Sequence, residues 1–122
     1  MRRLMTKQFA KWAKKQKISK NDLSNALDDL QKGYYEAGLG GYLYKKRIRF
    51  QGKGKSGSGR SIIVYKKGDR AIFIHGFAKN EKANISKKEL LLFKEFARIL
   101  LNLPSKSIDI ALENGDFIEV EP

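Results

Sequence analysis

The chain has 122 residues, no cysteine and a formal charge of +13 at pH 7. That length suits one domain, residues 1–122, built on one core, and the absence of thiols excludes disulfides and thiolate-held zinc or iron–sulfur centres. No apolar run is long enough to span a bilayer and no apolar segment follows Arg2 and Arg3 as a secretory signal needs, so a cytoplasmic protein is expected.

The charge is unevenly placed. Residues 1–21 carry eight Lys/Arg and no acid, residues 42–88 carry fourteen against two acids, and residues 89–122 carry three against seven. A field of this sign attracts polyanions, with nucleic acid the first candidate and an anionic membrane surface the second. An acidic protein partner is compatible with the first.

In chain order, residues 6–16 read as a short amphipathic helix, because Phe9, Trp12 and Ala13 fall at i, i+3, i+4 among lysines. Ser19 and Asp22 form a capping box for a second helix carrying Leu23, Ala26, Leu27 and Leu30 on one face. It is predicted to reach about Gly33–Ala37 and to be ended by the glycines of residues 38–41.

The period then changes to two. Across residues 42–50, Tyr42, Tyr44, Ile48 and Phe50 share one face of a predicted strand, while Leu43, Lys45, Arg47 and Arg49 share the other. Lys46 intrudes on the apolar face, where it snorkels or serves a site. A Gly/Ser/Lys loop, residues 51–60, leads to a strand at 61–65, a turn at 66–69 with Gly68 at positive φ, and a buried strand at 70–78. After a loop at 79–85, Ser86 and Glu89 cap a long helix with Leu90, Phe93, Phe96, Ala97, Leu100 and Leu103 on a broad stripe, stopped by Pro104. Residues 105–114 read as one more short helix closed by Gly115, and Phe117, Ile118 and Val120 as a last strand or extended tail. The predicted order is α-α-β-β-β-α-α-β, an α+β layer with the helices on one sheet face.

Several motifs fail their context. Residues 52–57 fit G-x-G-x-x-G but lie between two strands rather than at a strand-to-helix turn. Gly54, Lys55 and Ser56 resemble the end of a phosphate-binding P-loop, but Arg49 stands where its first glycine belongs and no helix follows. The loop's glycines and Lys53, Lys55 and Arg60 suit either phosphate contact or a soluble hairpin loop. His75 is the single histidine, so a His pair for acid–base cleavage is impossible, and its mid-strand place suits packing. No metal-ligand cluster and no serine-hydrolase motif is present, so neither a metal nor another cofactor is expected.

What remains is a concentration of cations and amides: Lys45, Lys46, Arg47, Arg49, Arg60, Lys79, Asn80 and Lys82. Such a set can simply dock RNA. It can also do chemistry, since RNA cleavage needs a deprotonated ribose 2′-oxygen, a stabilised phosphorane and a protonated leaving 5′-oxygen. Arginines serve the second need as bidentate phosphate ligands, and a lysine crowded by like charges becomes a better base.

The run YLYKKRIRFQGKGKSGSGRSIIVYKKGDRAIFIHGFAKNEKANI resembles the core of RelE-superfamily toxins, closest to a HigB/RelE-like branch with KKR, a GKSG-type loop followed by R-S/T, GDR and GFAKNE-x-x-N-I. The likeness extends to KWAKK and GLGG upstream and to the following helix. It implies two N-terminal helices and a C-terminal helix on a small antiparallel sheet, with the active surface on its concave side. It also implies ribosome-dependent cleavage of mRNA without a metal, and inhibition by an antitoxin, often of helix-turn-helix type. By position, Lys45 and Lys46 match the basic first-strand residues, one of them as base, while Arg60 and Lys79 match the transition-state stabilisers. Arg47, Arg49, Lys53, Lys55, Asn80 and Lys82 are then RNA-binding candidates. Many relatives carry a Tyr or His soon after the last basic residue; residues 80–85 contain neither, which leaves the general acid unassigned. The alternatives are a ParE-like poison that binds DNA gyrase, and a basic RNA-binding module without catalysis.

Overall fold

The computed structural model describes residues 1–49, 58–78 and 84–120. The elements run β1 (Arg2–Thr6), α1 (Lys7–Lys15), α2 (Lys20–Gln31), β2 (Ala37–Gly40), β3 (Leu43–Arg49), β4 (Ser58–Lys66), β5 (Arg70–Ala78), α3 (Lys87–Leu101), α4 (Ser105–Asn114) and β6 (Phe117–Glu119). One six-stranded sheet has the order β2-β3-β4-β5-β1-β6. The α+β class holds, but the sheet is mixed rather than antiparallel: β1 runs parallel to β5 and antiparallel to β6.

The predicted helix ends rest on visible caps. The Thr6 hydroxyl accepts from the Phe9 N–H, and both capping boxes, Ser19 with Asp22 and Ser86 with Glu89, are formed. Each satisfies N–H groups that the first helical turn leaves without a partner. Gly115, at φ +80, ends α4, and Gly68, at φ +77, makes the β4–β5 turn. By contrast α2 stops at Gln31, short of the prediction, and residues 37–40 form the edge strand β2 instead of a helix end.

The helices do not share one sheet face, as expected from sequence; they cover both. Met5, Ile48, Ile63 and Phe73 meet Phe9, Ala13, Leu23, Leu27 and Leu30 of α1 and α2. On the opposite face Leu4, Leu43, Ile62, Val64 and Ile72 meet Ala97, Leu100 and Ile108 of α3 and α4. Residues 62–65 of β4 and 71–74 of β5 are apolar and buried at every position, which is what two-sided burial requires. In β5 the register slips beside Ile62 and Ile63, leaving Ile74 unpaired, so Ile74 joins the α3/α4 core next to His75.

Strand β1 was not anticipated. Its two arginines are held rather than solvated: Arg2 pairs with Asp109 of α4 at 2.6 Å, and Arg3 with Asp28 of α2 at 2.7 Å. The strand is thereby fastened to a helix on each face. On the α1 side, the Trp12 ring lies on Gly76 of β5, and a Cβ there would sit 2.3 Å from Trp12 Cε3.

Arg70 closes α3 from below. Its buried guanidinium donates through Nη1 to the Leu100 and Leu103 carbonyls at 2.9 and 2.7 Å, and Asp69 Oδ2 lies 3.4 Å from Nε. These carbonyls lie at and just beyond the end of α3; that of Leu100 also takes a long bond from the Leu103 N–H at 3.4 Å, and the guanidinium supplies the shorter, charged one. Arg70→Met is therefore expected to destabilise the fold by about 2 kcal/mol, because two carbonyls lose a charged donor and Asp69 its counter-ion. Urea unfolding checks this, and an unshifted midpoint would refute the capping role.

Candidate functional site

Strand alternation and cross-strand register fix the geometry of the cationic residues. Leu43 pairs with Val64, Lys45 with Ile62, Arg47 with Arg60 and Arg49 with Ser58. Lys45, Arg47, Arg49 and Arg60 therefore share the sheet face that α3 and α4 cover further along, where Leu43, Ile62 and Val64 are buried. Arg47 and Arg49 are exposed, and Lys45 and Arg60 are half-buried.

Lys46 lies on the other face. Its register partner is Ser61, whose hydroxyl donates to the Lys46 carbonyl at 2.8 Å, and its ammonium lies 3.3 Å from Asp29 Oδ2 of α2. The intruding lysine is thus ion-paired under α2, on the face opposite Arg60, although at the edge of β3 it lines a cleft together with Arg47. The five candidate cations described in the structure are divided between the two faces, four on one and Lys46 on the other.

Arg60 is the most constrained of the four. Glu36, on the bend before β2, reaches over β3 to place Oε2 at 2.7 Å from Arg60 Nε. The Glu36 N–H donates to the Lys45 carbonyl at 2.9 Å, which fixes the bend against the cationic strand. With its side chain only 14% exposed, Arg60 keeps a buried Nη1 that has no hydrogen-bond partner among the described residues. A buried donor without an acceptor is costly, which singles out Arg60 among the four cations on this face.

The floor beside this group is apolar and aromatic. Phe77 pairs with Arg60 across β4–β5 and is buried, and His75 packs with ring centroids 4.9 Å from Phe93 of α3 and 6.1 Å from Phe77. The histidine is packed, as its place in the strand predicted. Around the outer edge of β3, a cleft of about 470 Å³ is lined by Asp22, Asn25, Asp29, Lys46, Arg47 and Arg49. Lys53, Lys55, Lys79, Asn80 and Lys82 lie outside the described residues. Among the described residues no group of three His, Asp or Glu side chains could hold a metal ion, and no helix is long and apolar enough to cross a membrane.

Glu36 and Asp29 were missed by sequence reasoning. They belong to residues 22–41, where one lysine stands against four acids, and nothing in local spacing tells which lysine or arginine a distant carboxylate will reach.

A protein-family model described as RelE toxin of RelE / RelB toxin-antitoxin system matches residues 1–120. The chain belongs to this family of toxins. No match was found among curated proteins or among solved structures. The RelE-family assignment agrees with an α+β fold in which a mixed sheet carries a cationic strand pair, β3 and β4, next to a helix-covered core.

Proposed function

We propose that this RelE-family toxin is a metal-independent endoribonuclease of the HigB-like kind, which cuts mRNA on the ribosome and is silenced in the cytoplasm by an antitoxin. The whole chain, 1–122, acts as one domain. The observation that carries the reading is Arg60: a guanidinium anchored by Glu36, facing Arg47 across the strand pair, with an Nη1 that has no hydrogen-bond partner among the described residues and that a phosphate oxygen would satisfy once the RNA displaces what covers it.

In this reading Arg60 stabilises the phosphorane, with Lys79 as a second cation contributed by the segment after β5. Arg47 and Arg49, exposed along β3, dock the RNA backbone, joined by Lys53, Lys55, Asn80 and Lys82. The general base falls to Lys45 rather than Lys46, because Lys45 shares the face of Arg60 while Lys46 is paired with Asp29 on the other. Glu36 is a positioning residue, acting through Arg60. Lys45→Ala is accordingly expected to slow cleavage at least about tenfold more than Lys46→Ala does, within the range of a general base. Equal losses would return Lys46 to the site.

A protein partner is supported by α3, which leaves Leu91, Leu92, Phe96 and Ile99 exposed to solvent. A helix-turn-helix antitoxin that brings carboxylates over Lys45, Arg47 and Arg60 would mask the cationic face.

Primer extension on mRNA in a reconstituted translation mix tests the proposal. Discrete cuts are expected only with ribosomes and without antitoxin. Inhibition of gyrase supercoiling with intact mRNA would replace the reading with a gyrase poison. Binding to RNA that weakens steeply with salt, with no cut under any condition, would reduce it to a docking module.

A further inference from the structure

The β2–β3 turn, at the opposite end of β3 from Arg49, carries a feature that the cleavage reading does not use. Three consecutive residues there are left-handed: Gly40 at φ +85, Gly41 at φ +63 and Tyr42 at φ +66. Glycine adopts this conformation freely, but a tyrosine does so at a cost of about 1–2 kcal/mol. The position is fixed nonetheless, because the Tyr42 carbonyl accepts from the Tyr65 N–H at 2.9 Å and extends the β3–β4 ladder. The left-handed backbone turns the phenol ring out of the sheet, 53% exposed, and it stacks on no ring among the described residues.

The ring borders a cleft of about 420 Å³ formed with Lys66, Lys94, Arg98, Leu101 and Asn102. Lys94 lies along the turn, with its Nζ 3.5 Å and its Cγ 3.8 Å from where Cβ atoms of Gly40 and Gly41 would be. Arg98 is ion-paired with Glu95, which stands one turn earlier on α3. Lys66 and Lys94 form no ion pair among the described residues. An outward aromatic plate beside two uncommitted ammonium groups, over an apolar floor at Leu101, matches one flat base and its phosphate.

We infer that this cleft is a second RNA subsite, in which the Tyr42 ring stacks on an unpaired base while Lys66 and Lys94 hold the adjoining phosphate. It rests on the proposal that the toxin acts on RNA. The seven residues of β3, rising about 3.4 Å each, separate it from the cationic end of the strand by about 20 Å. A single strand, or a ribosomal RNA loop, could thus be gripped at both ends of β3. An acidic peptide is the competing occupant, but it gives the exposed ring no planar partner.

The test titrates a short single-stranded RNA oligonucleotide into the isotope-labelled full chain without ribosomes, reading amide resonances at Gly41, Tyr42 and Lys94. Saturable shifts are expected there, retained in Tyr42→Phe and weakened about tenfold in Tyr42→Gly, which keeps the backbone conformation but removes the plate. Lys66→Glu combined with Lys94→Glu should weaken binding further and flatten its salt dependence. The inference is overturned if Tyr42→Gly binds like the parent, if inorganic phosphate competes as well as the oligonucleotide does, or if a polyglutamate peptide moves these resonances and RNA does not. Arg60→Ala should leave these shifts in place. A failure of ribosomal cleavage would therefore be distinguishable from a failure of this subsite.

Discussion

Replacing Arg60 by alanine is expected to slow single-turnover mRNA cleavage at saturating ribosome by about 100-fold or more, while weakening ribosome binding only a few-fold. The size follows from where the charge sits. The side chain is largely buried, its Nε is taken by Glu36 at 2.7 Å, and its Nη1 has no acceptor among the described residues. A donor already oriented and desolvated gains most when negative charge develops on a phosphorane, because little reorganisation remains to be done. An exposed arginine such as Arg47 lacks that preorganisation and should cost mainly affinity and salt dependence. Arg60→Lys should recover only part of the rate, since an ammonium cannot bind Glu36 through one edge and a phosphate through another in the same plane. If the loss in Arg60→Ala appears entirely in binding, with the saturated rate preserved, the role assigned to Arg60 is wrong.

The second large effect concerns folding. Gly76→Ala is expected to destabilise the protein by about 3 kcal/mol or more, at or beyond the top of the usual overpacking range. Three atoms of the Trp12 ring system lie 2.3, 2.4 and 2.7 Å from the position a Cβ would take. The ring cannot slide aside cheaply: it packs on Phe9 at 5.5 Å, and Phe9 is itself stacked on Phe73 at 4.8 Å. Relief would require α1 to lift from the sheet. The double variant Gly76→Ala with Trp12→Leu should recover a good part of the loss, giving a coupling of the sign expected for direct contact. Thermal or urea unfolding of the four proteins in this cycle reads the result, and additive effects would show that the contact is not the cause.

The elements that sequence revealed are those whose signals are local. Both capping boxes, the Gly68 turn, the Pro104 stop and the Gly115 end use residues within one turn of the feature they set. The alternation in β3 also separated Lys46 from Lys45, Arg47 and Arg49, since the period of two is a property of the backbone alone. What failed depends on partners far along the chain. Strand β1 opens with two arginines, which read as solvated until Asp109 and Asp28 are seen to receive them. Strand β2 is half glycine and carries no pattern; it forms because β3 offers an edge. Placement of helices on both faces follows from the two-sided apolar character of β4 and β5, which a run of hydrophobic residues suggests without saying what covers each side. At the candidate site the cations were legible by type, but their grouping was not. The carboxylate that fixes Arg60 comes from a bend 24 positions earlier in the chain, and the one that holds Lys46 comes from α2.

The account depends on Arg60 and its neighbours drawing a bent RNA phosphate into attack by its own 2′-oxygen. The direct measurement uses two messages, one all-ribose and one with a single 2′-deoxynucleotide at the cut position, each presented to the toxin on programmed ribosomes and followed by primer extension. The all-ribose message should be cut and the substituted one should stay whole at that position. A cut that survives loss of the 2′-hydroxyl, or an all-ribose message left intact by folded, antitoxin-free protein, would contradict it.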